Sequence, residues 1–296
     1  MNNSTIFDNI TELPNADVKR RADALVGFNK RFERVHNNLK LLIDQEGLIE
    51  WSNKHHKVKL PVLETILDRY PLVLLAGDAG TGKTVSAEGI ADRMVRELGK
   101  DGFFLKLSTR VRGEGLHGQM GNLVNNAFDR LKQEAGKKRI AFLFIDEADA
   151  IATTRSTHQM HQEEKAAVNT LIQKIDEIRS LNGRAIIFMS TNRLHFIDEA
   201  IIRRAAIIME FERPDENERK ELFTKTLDGT GIKDKEFDKL VELTGPDKNN
   251  GLGYSFSDLT LKILPEAVAE SFPNKPLSFE VLENVIKRVK PSPQII

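Results

Sequence analysis

The sequence predicts an α/β fold in which a five-stranded parallel sheet, covered by helices on both faces, is followed by a small helical domain. Two patterns carry this reading. Short, almost wholly apolar segments alternate with amphipathic ones through the first two thirds of the chain. Strands that are apolar on both sides belong in a parallel sheet between layers of helix. Past Arg213-Pro214-Asp215 the apolar segments stop and only helical spacing remains.

The elements follow in order. Residues 1–15 are polar, contain Pro14 and read as a flexible leader. Over residues 16–50, Leu25, Phe28, Phe32, Val35, Leu39 and Leu42 recur at steps of three and four, the spacing of one helix face. Residues 71–77, 103–107, 140–146, 185–190 and 206–211 are the five strands. Helical patterns over 84–98, 122–135 and 163–180 separate the first four. Beyond the fifth, residues 216–228, 235–244, 255–271 and 278–289 read as helices. The expected organisation is a leader over 1–15, an α/β domain over 16–213 and a helical lid over 214–296.

Composition narrows the function. The 296 residues carry 44 basic and 44 acidic side chains. Zero net charge argues against a protein that neutralises long stretches of phosphate backbone. The absence of cysteine excludes a disulfide scaffold, a thiolate zinc site, an iron–sulfur cluster and a cysteine nucleophile. No apolar run approaches the ~20 residues that span a bilayer. The start, Met1-Asn2-Asn3-Ser4-Thr5, lacks the basic and apolar regions of a secretory signal, so a cytoplasmic protein without a membrane partner is expected.

Gly77-Asp78-Ala79-Gly80-Thr81-Gly82-Lys83-Thr84 satisfies G-x-x-x-x-G-K-[ST] between a predicted strand and a predicted helix. Glycines permit a tight turn whose N–H groups point inward at phosphates. The start of the following helix, with Val85 next in line, adds its positive end. Lys83 is expected to reach the β- and γ-phosphates of ATP, and the Thr84 hydroxyl to hold Mg²⁺.

One strand–helix unit later, Phe142-Leu143-Phe144-Ile145 runs into Asp146 and Glu147. A carboxylate at that strand end can support magnesium. The second can activate the attacking water, which a hydrolase needs and a kinase does not. Ser190-Thr191-Asn192 ends the fourth strand, where Asn192 can sense the γ-phosphate or the water.

Phosphate loop, Asp-Glu strand end, Asn-tipped strand and paired arginines occur here in the order and spacing of AAA+ ATPases, and the resemblance covers roughly residues 20–290. It implies that Glu147 is the general base, Asn192 the first sensor, and Arg203 or Arg204 the finger that completes a neighbour's site. Ile197-Asp198-Glu199-Ala200-Ile201-Ile202-Arg203-Arg204 resembles the family's D-x-A-x-x-R stretch, and the pachytene-checkpoint type puts the finger at Arg204, with Arg203 the alternative. A finger acting in trans implies a ring, a homohexamer.

By the same resemblance the pore loop falls on Leu116-His117-Gly118, where leucine replaces the usual aromatic. That departure suits brief remodelling better than processive unfolding. His158 and His161 have the spacing of a metal pair but no evident third ligand, and read more simply as part of a polar loop. Val168-Asn169-Thr170-Leu171-Ile172-Gln173-Lys174-Ile175-Asp176 resembles the V-N-x-x-L-x-Q-I-D stretch of the pachytene-checkpoint and thyroid-receptor-interacting remodellers, which act on HORMA-domain proteins. Gly253-Tyr254-Ser255-Phe256-Ser257-Asp258 is similar to the family's lid motif, with Ser257 where a small residue meets the phosphates. The compact chain resembles the bacterial forms found with HORMA proteins and cyclic-nucleotide synthases in antiphage (CBASS) systems. A generic peptide unfoldase, a nucleic-acid loader and a non-catalytic ATP-binding scaffold are the alternatives.

Overall fold

The computed structural model describes residues 6–108, 119–153, 162–247 and 251–294. The strands are β1 (Phe7–Leu13), β2 (Leu72–Gly77), β3 (Gly102–Leu107), β4 (Ile140–Ile145), β5 (Ala185–Thr191) and β6 (Ile207–Phe211). The first helices are α1 (Ala16–Ala24), α2 (Phe28–Ile43), α3 (Gln45–His56) and α4 (Val62–Leu67), followed by α5 (Lys83–Glu97), α6 (Gln119–Ala135), α7 (Gln162–Glu177) and the single turn α8 (Glu199–Ile202). Four more, α9 (Glu216–Thr226), α10 (Asp234–Leu243), α11 (Leu264–Ser271) and α12 (Phe279–Arg288), follow β6. The chain divides into two compact units, one of residues 1–24, 28–76 and 84–210, the other of 25–27, 77–83 and 211–296.

In the first unit the strands form one sheet in the order β1-β3-β4-β5-β2-β6. The β2–β5, β3–β4 and β4–β5 pairs are parallel, with Leu72 opposite Ile187 and Ala141 opposite Ala185. Every residue of β4 and β5 is buried, as strands sandwiched between helices must be. Leu123, Val124 and Phe128 of α6 and Val168, Leu171 and Ile175 of α7 close over Leu105, Leu143 and Ile187. The apolar stripe of the Val168-to-Asp176 segment is therefore core packing.

Two expectations need correction. Within the stretch expected as a flexible leader, Phe7–Leu13 pairs antiparallel with β3, so the sheet has six strands, not five, and is not wholly parallel. Only Phe7 and Leu13, at its two ends, are buried in that strand. Backbone pairing to an open edge, anchored by Phe7, Ile10 and Leu13 alone among its side chains, holds it, which is why polarity concealed it. The helical stretch over 16–50 is three helices. Gly27, at φ +74°, ends one run, and Asp44 starts α3 by accepting the Gly47 N–H at 3.2 Å.

The second unit has its own core, in which Phe223, Leu240, Phe256, Leu259, Ile263, Leu282 and Val285 interlock. Its first helix, α9, starts with a capping box: Asp215 accepts the Glu218 N–H at 2.8 Å and Glu218 accepts the Asp215 N–H at 3.2 Å. At the centre lies Asp258, fully buried in a wide π-type turn, Asp258–Ile263. Its carboxylate accepts from the Ser255 N–H and hydroxyl at 3.1 and 2.9 Å and from Lys262 Nζ at 2.6 Å. It also accepts from the Ser292 N–H and hydroxyl, at 3.1 and 2.6 Å. Burial, the largest single influence, pushes this carboxyl up, but Lys262, Ser292 and Ser255 together outweigh it and hold it far below the usual range.

A depressed carboxyl stabilises the fold above its unfolded pKa, about 3.9, and that contribution disappears as pH falls from there towards the lower folded value. Asp258→Asn is therefore expected to cost roughly 3 kcal/mol at neutral pH and to flatten the acid limb of stability below about pH 4. Thermal melts by circular dichroism across pH 2–7 check both. An unchanged acid limb would remove Asp258 from this role.

Candidate nucleotide site

The phosphate loop lies in the second unit. Gly77, Gly80 and Gly82 have φ of +149°, +73° and +90°. Gly80 is required twice over: its φ is left-handed, and an added Cβ would stand 2.4 Å from Ser257 Cβ. That close approach lets the Ser257 N–H donate to the Gly80 carbonyl at 3.1 Å. The buried Thr81 hydroxyl donates to the Asp78 carbonyl at 2.8 Å, bracing the turn from within. Lys83, 8% exposed, donates from Nζ to the Gly77 and Asp78 carbonyls, each at 2.8 Å. Its ammonium is thereby held over the loop, where an anion can exchange with the carbonyls. Asp78 faces Arg213: Nε and Nη2 of the guanidinium reach Oδ2 at 2.8 and 2.5 Å.

The acidic residues lie in the first unit. Asp146 follows β4, whose burial fixes the strand and so the carboxylate at its end. Thr84, in the first turn of α5, donates its hydroxyl to Asp146 Oδ2 at 3.3 Å, and the buried Ser190 hydroxyl donates to Oδ1. These are oxygen donors on opposite sides of one carboxylate, a set that suits magnesium, which binds through few carboxylates plus substrate phosphates. Among the described residues there is no group of three or more His, Cys, Asp or Glu that could hold a metal ion.

Glu147 is exposed, with φ 47° and ψ 49°. A left-handed conformation costs a non-glycine residue roughly 1–2 kcal/mol and tends to persist at working sites. The turn is held because the Glu147 N–H donates to Asp146 Oδ1 at 3.0 Å, and the Thr191 hydroxyl ties Asp149 to the end of β5 at 2.9 Å. Asn192, half-buried, directly follows Thr191.

The two arginines differ in setting. Arg203 is 79% exposed and pairs with the equally exposed Glu199 at 3.0 Å, an arrangement worth little. Arg204 forms a fork onto Asp176, Nε to Oδ1 at 2.7 Å and Nη2 to Oδ2 at 3.1 Å, and gives Nη1 to the Ala200 carbonyl at 3.0 Å. Its guanidinium lies 5.2 Å from the Tyr70 ring centre. The hydrogen bonds it donates to Asp176 raise its pKa, against the opposing effect of burial. Leu116, His117, Gly118, His158 and His161 fall outside the described residues.

Sequence reasoning missed three participants. Ser190 was on view in Ser190-Thr191-Asn192, but its target was not. Asp176 stands in the sequence only as part of a helix motif. Arg213 meets Asp78 across 135 residues of sequence, and no local pattern announces that.

A phosphate loop opening a helix, an acid pair on the central strand and an Asn-tipped neighbouring strand define an AAA-type ATPase. Residues 73–213 match the model of the ATPase family associated with various cellular activities (AAA). The chain belongs to the CD-NTase-associated protein 6 family. It is 44% identical to that protein from Escherichia coli strain KTE188 over 99% of this chain and 98% of the relative. The MS 115-1 homologue is 38% identical over 98% and 96%. Among solved structures, a chain of the E. coli MS115-1 HORMA:CdnC:Trip13 complex superposes with a TM-score of 0.91 at 36% identity, covering 99% of this chain and 98% of that one. Rhizobiales Trip13 gives 0.75 at 31%, covering 97% and 100%. Among the described residues no helix is long and apolar enough to cross a membrane.

Proposed function

We propose that this chain hydrolyses ATP within a homohexameric ring and uses the cycle to disassemble or convert a HORMA-domain protein complex, in a bacterial antiphage system built around a CD-NTase. The observation that carries it is Asp146 in contact with the Thr84 hydroxyl, with Glu147 held in the next position by a strained turn. The partner class rests on the likeness to a chain of the HORMA:CdnC:Trip13 complex.

In this reading residues 77–85 cradle the polyphosphate, and Lys83 trades the loop carbonyls for β- and γ-phosphate oxygens. Thr84 and Asp146 would hold Mg²⁺, which would supply positive charge to offset that of the phosphates. Glu147 accepts the proton of the attacking water, Asn192 orients that water against the γ-phosphate, and Arg204 of one subunit completes the site of the next. Residues 214–296 act as the small domain, bracing the phosphate loop through Ser257. Leu116, His117 and Gly118 contact the substrate chain. The substrate is protein rather than nucleic acid, in keeping with zero net charge, and the ring works in the cytoplasm.

The test is direct. The purified chain, ATP and magnesium are mixed with a preformed HORMA–CD-NTase complex and followed by size-exclusion chromatography. The complex is expected to come apart with ATP and to persist with a non-hydrolysable analogue. Equal persistence in both, with phosphate still released, would sink the partner assignment while leaving the ATPase intact.

A further inference from the structure

The Arg213–Asp78 pair has no part in the chemistry above, yet it is among the most enclosed charge pairs of the described residues. The two side chains are 7% and 8% exposed. Both belong to the second unit, so the contact is internal to it. Arg213 places Nε and Nη2 on Asp78 Oδ2, Nη1 on the Gly253 carbonyl at 2.5 Å, and Nη2 also on the Ser292 carbonyl at 2.8 Å. Asp78 turns its other oxygen back onto the loop and accepts the Ala79 N–H at 2.9 Å. The same Ser292 is pinned to Asp258 through both N–H and hydroxyl. A continuous set of contacts therefore runs from the phosphate loop through Arg213 to residues 253 and 292.

Asp78 poses an electrostatic problem. A carboxylate inside a loop built to receive a polyphosphate repels its ligand, and at low exposure water screens that repulsion weakly. A guanidinium forked onto the carboxylate cancels the charge and fixes its direction. We propose that Arg213 is a positioning residue for nucleotide binding. It neutralises Asp78 and ties the loop to residues 253 and 292, so the cradle keeps its shape before nucleotide arrives. This rests on the phosphate loop being the nucleotide site.

The charge argument makes a prediction that a merely structural role does not. Arg213→Gln leaves Asp78 uncompensated, whereas Asp78→Asn with Arg213→Gln removes both charges. The full-length chain is titrated with a fluorescent ADP analogue, with melting temperatures recorded alongside. Arg213→Gln is expected to weaken binding about 30-fold or more, and Asp78→Asn/Arg213→Gln to recover about tenfold of that loss. Arg213→Lys, which keeps the charge and loses the fork, is expected to fall between parent and Arg213→Gln. A double variant no tighter than Arg213→Gln, or an Arg213→Gln protein that binds like the parent, overturns the proposal. Lys83→Ala separates the two readings: if it binds as the parent does, the loop is not the nucleotide site, and Arg213 has nothing to position.

Discussion

Glutamine at position 147 is expected to leave nucleotide affinity within about twofold and to cut phosphate release by about 10²–10⁴-fold, the usual contribution of a positioned general base. The side chain changes by one atom, so the left-handed turn at φ 47° and its hydrogen bond to Asp146 survive. What is lost is the capacity to accept a proton. A variant that binds ATP but cannot turn it over accumulates in the nucleotide-bound state, so it also retains its protein partner for longer. Malachite-green phosphate assays and equilibrium titration with labelled nucleotide read the two quantities separately. Turnover at the parental rate would remove Glu147 from the mechanism.

The second large effect concerns Arg204. Its fork onto Asp176 and its place over Tyr70 hold the guanidinium in one orientation, whereas Arg203 is solvated. A pre-oriented guanidinium loses little freedom when it meets a phosphate. Arg204→Ala is expected to lower kcat about 10³-fold or more, as loss of an arginine finger does, with nucleotide affinity held. Arg203→Ala is expected to lower it only a few-fold. The proposed reading has the finger serve a neighbouring subunit, so mixing Arg204→Ala with Glu147→Gln protein is expected to restore turnover that neither has alone. An Arg204→Ala protomer keeps its own Glu147 and receives Arg204 from its neighbour. A mixture as inactive as its components, with mixed rings verified by native mass spectrometry, would rule out action in trans.

These residues were legible in the sequence to different degrees, for physical reasons. The phosphate loop is contiguous, and its chemistry demands fixed residue types at fixed steps, so Gly77 to Thr84 could be read directly. Strands β2, β4 and β5 are buried on both faces and announce themselves by unbroken apolar runs. Strand β1 does not, because its pairing with β3 uses backbone groups that every residue carries. The break at Gly27 was visible as a glycine, but the regular spacing of Leu25, Phe28 and Phe32 masked it. Pairings such as Arg213 with Asp78 and Arg204 with Asp176 depend on the path of the chain rather than on local spacing, so only the folded structure reveals them.

Strand β1 has a practical consequence. Its ladder to β3 is extended by the Ser108 N–H, which donates to the Ile6 carbonyl at 2.8 Å. Ser108 is also the residue from which the chain sets out towards Leu116, His117 and Gly118, the proposed pore loop. Ile6 and that root are therefore joined mechanically. A fluorophore or affinity handle placed just ahead of Ile6 reports on the root through one hydrogen bond. A bulky fusion there pulls on the same point, so activity assays on amino-terminally tagged protein need an untagged control.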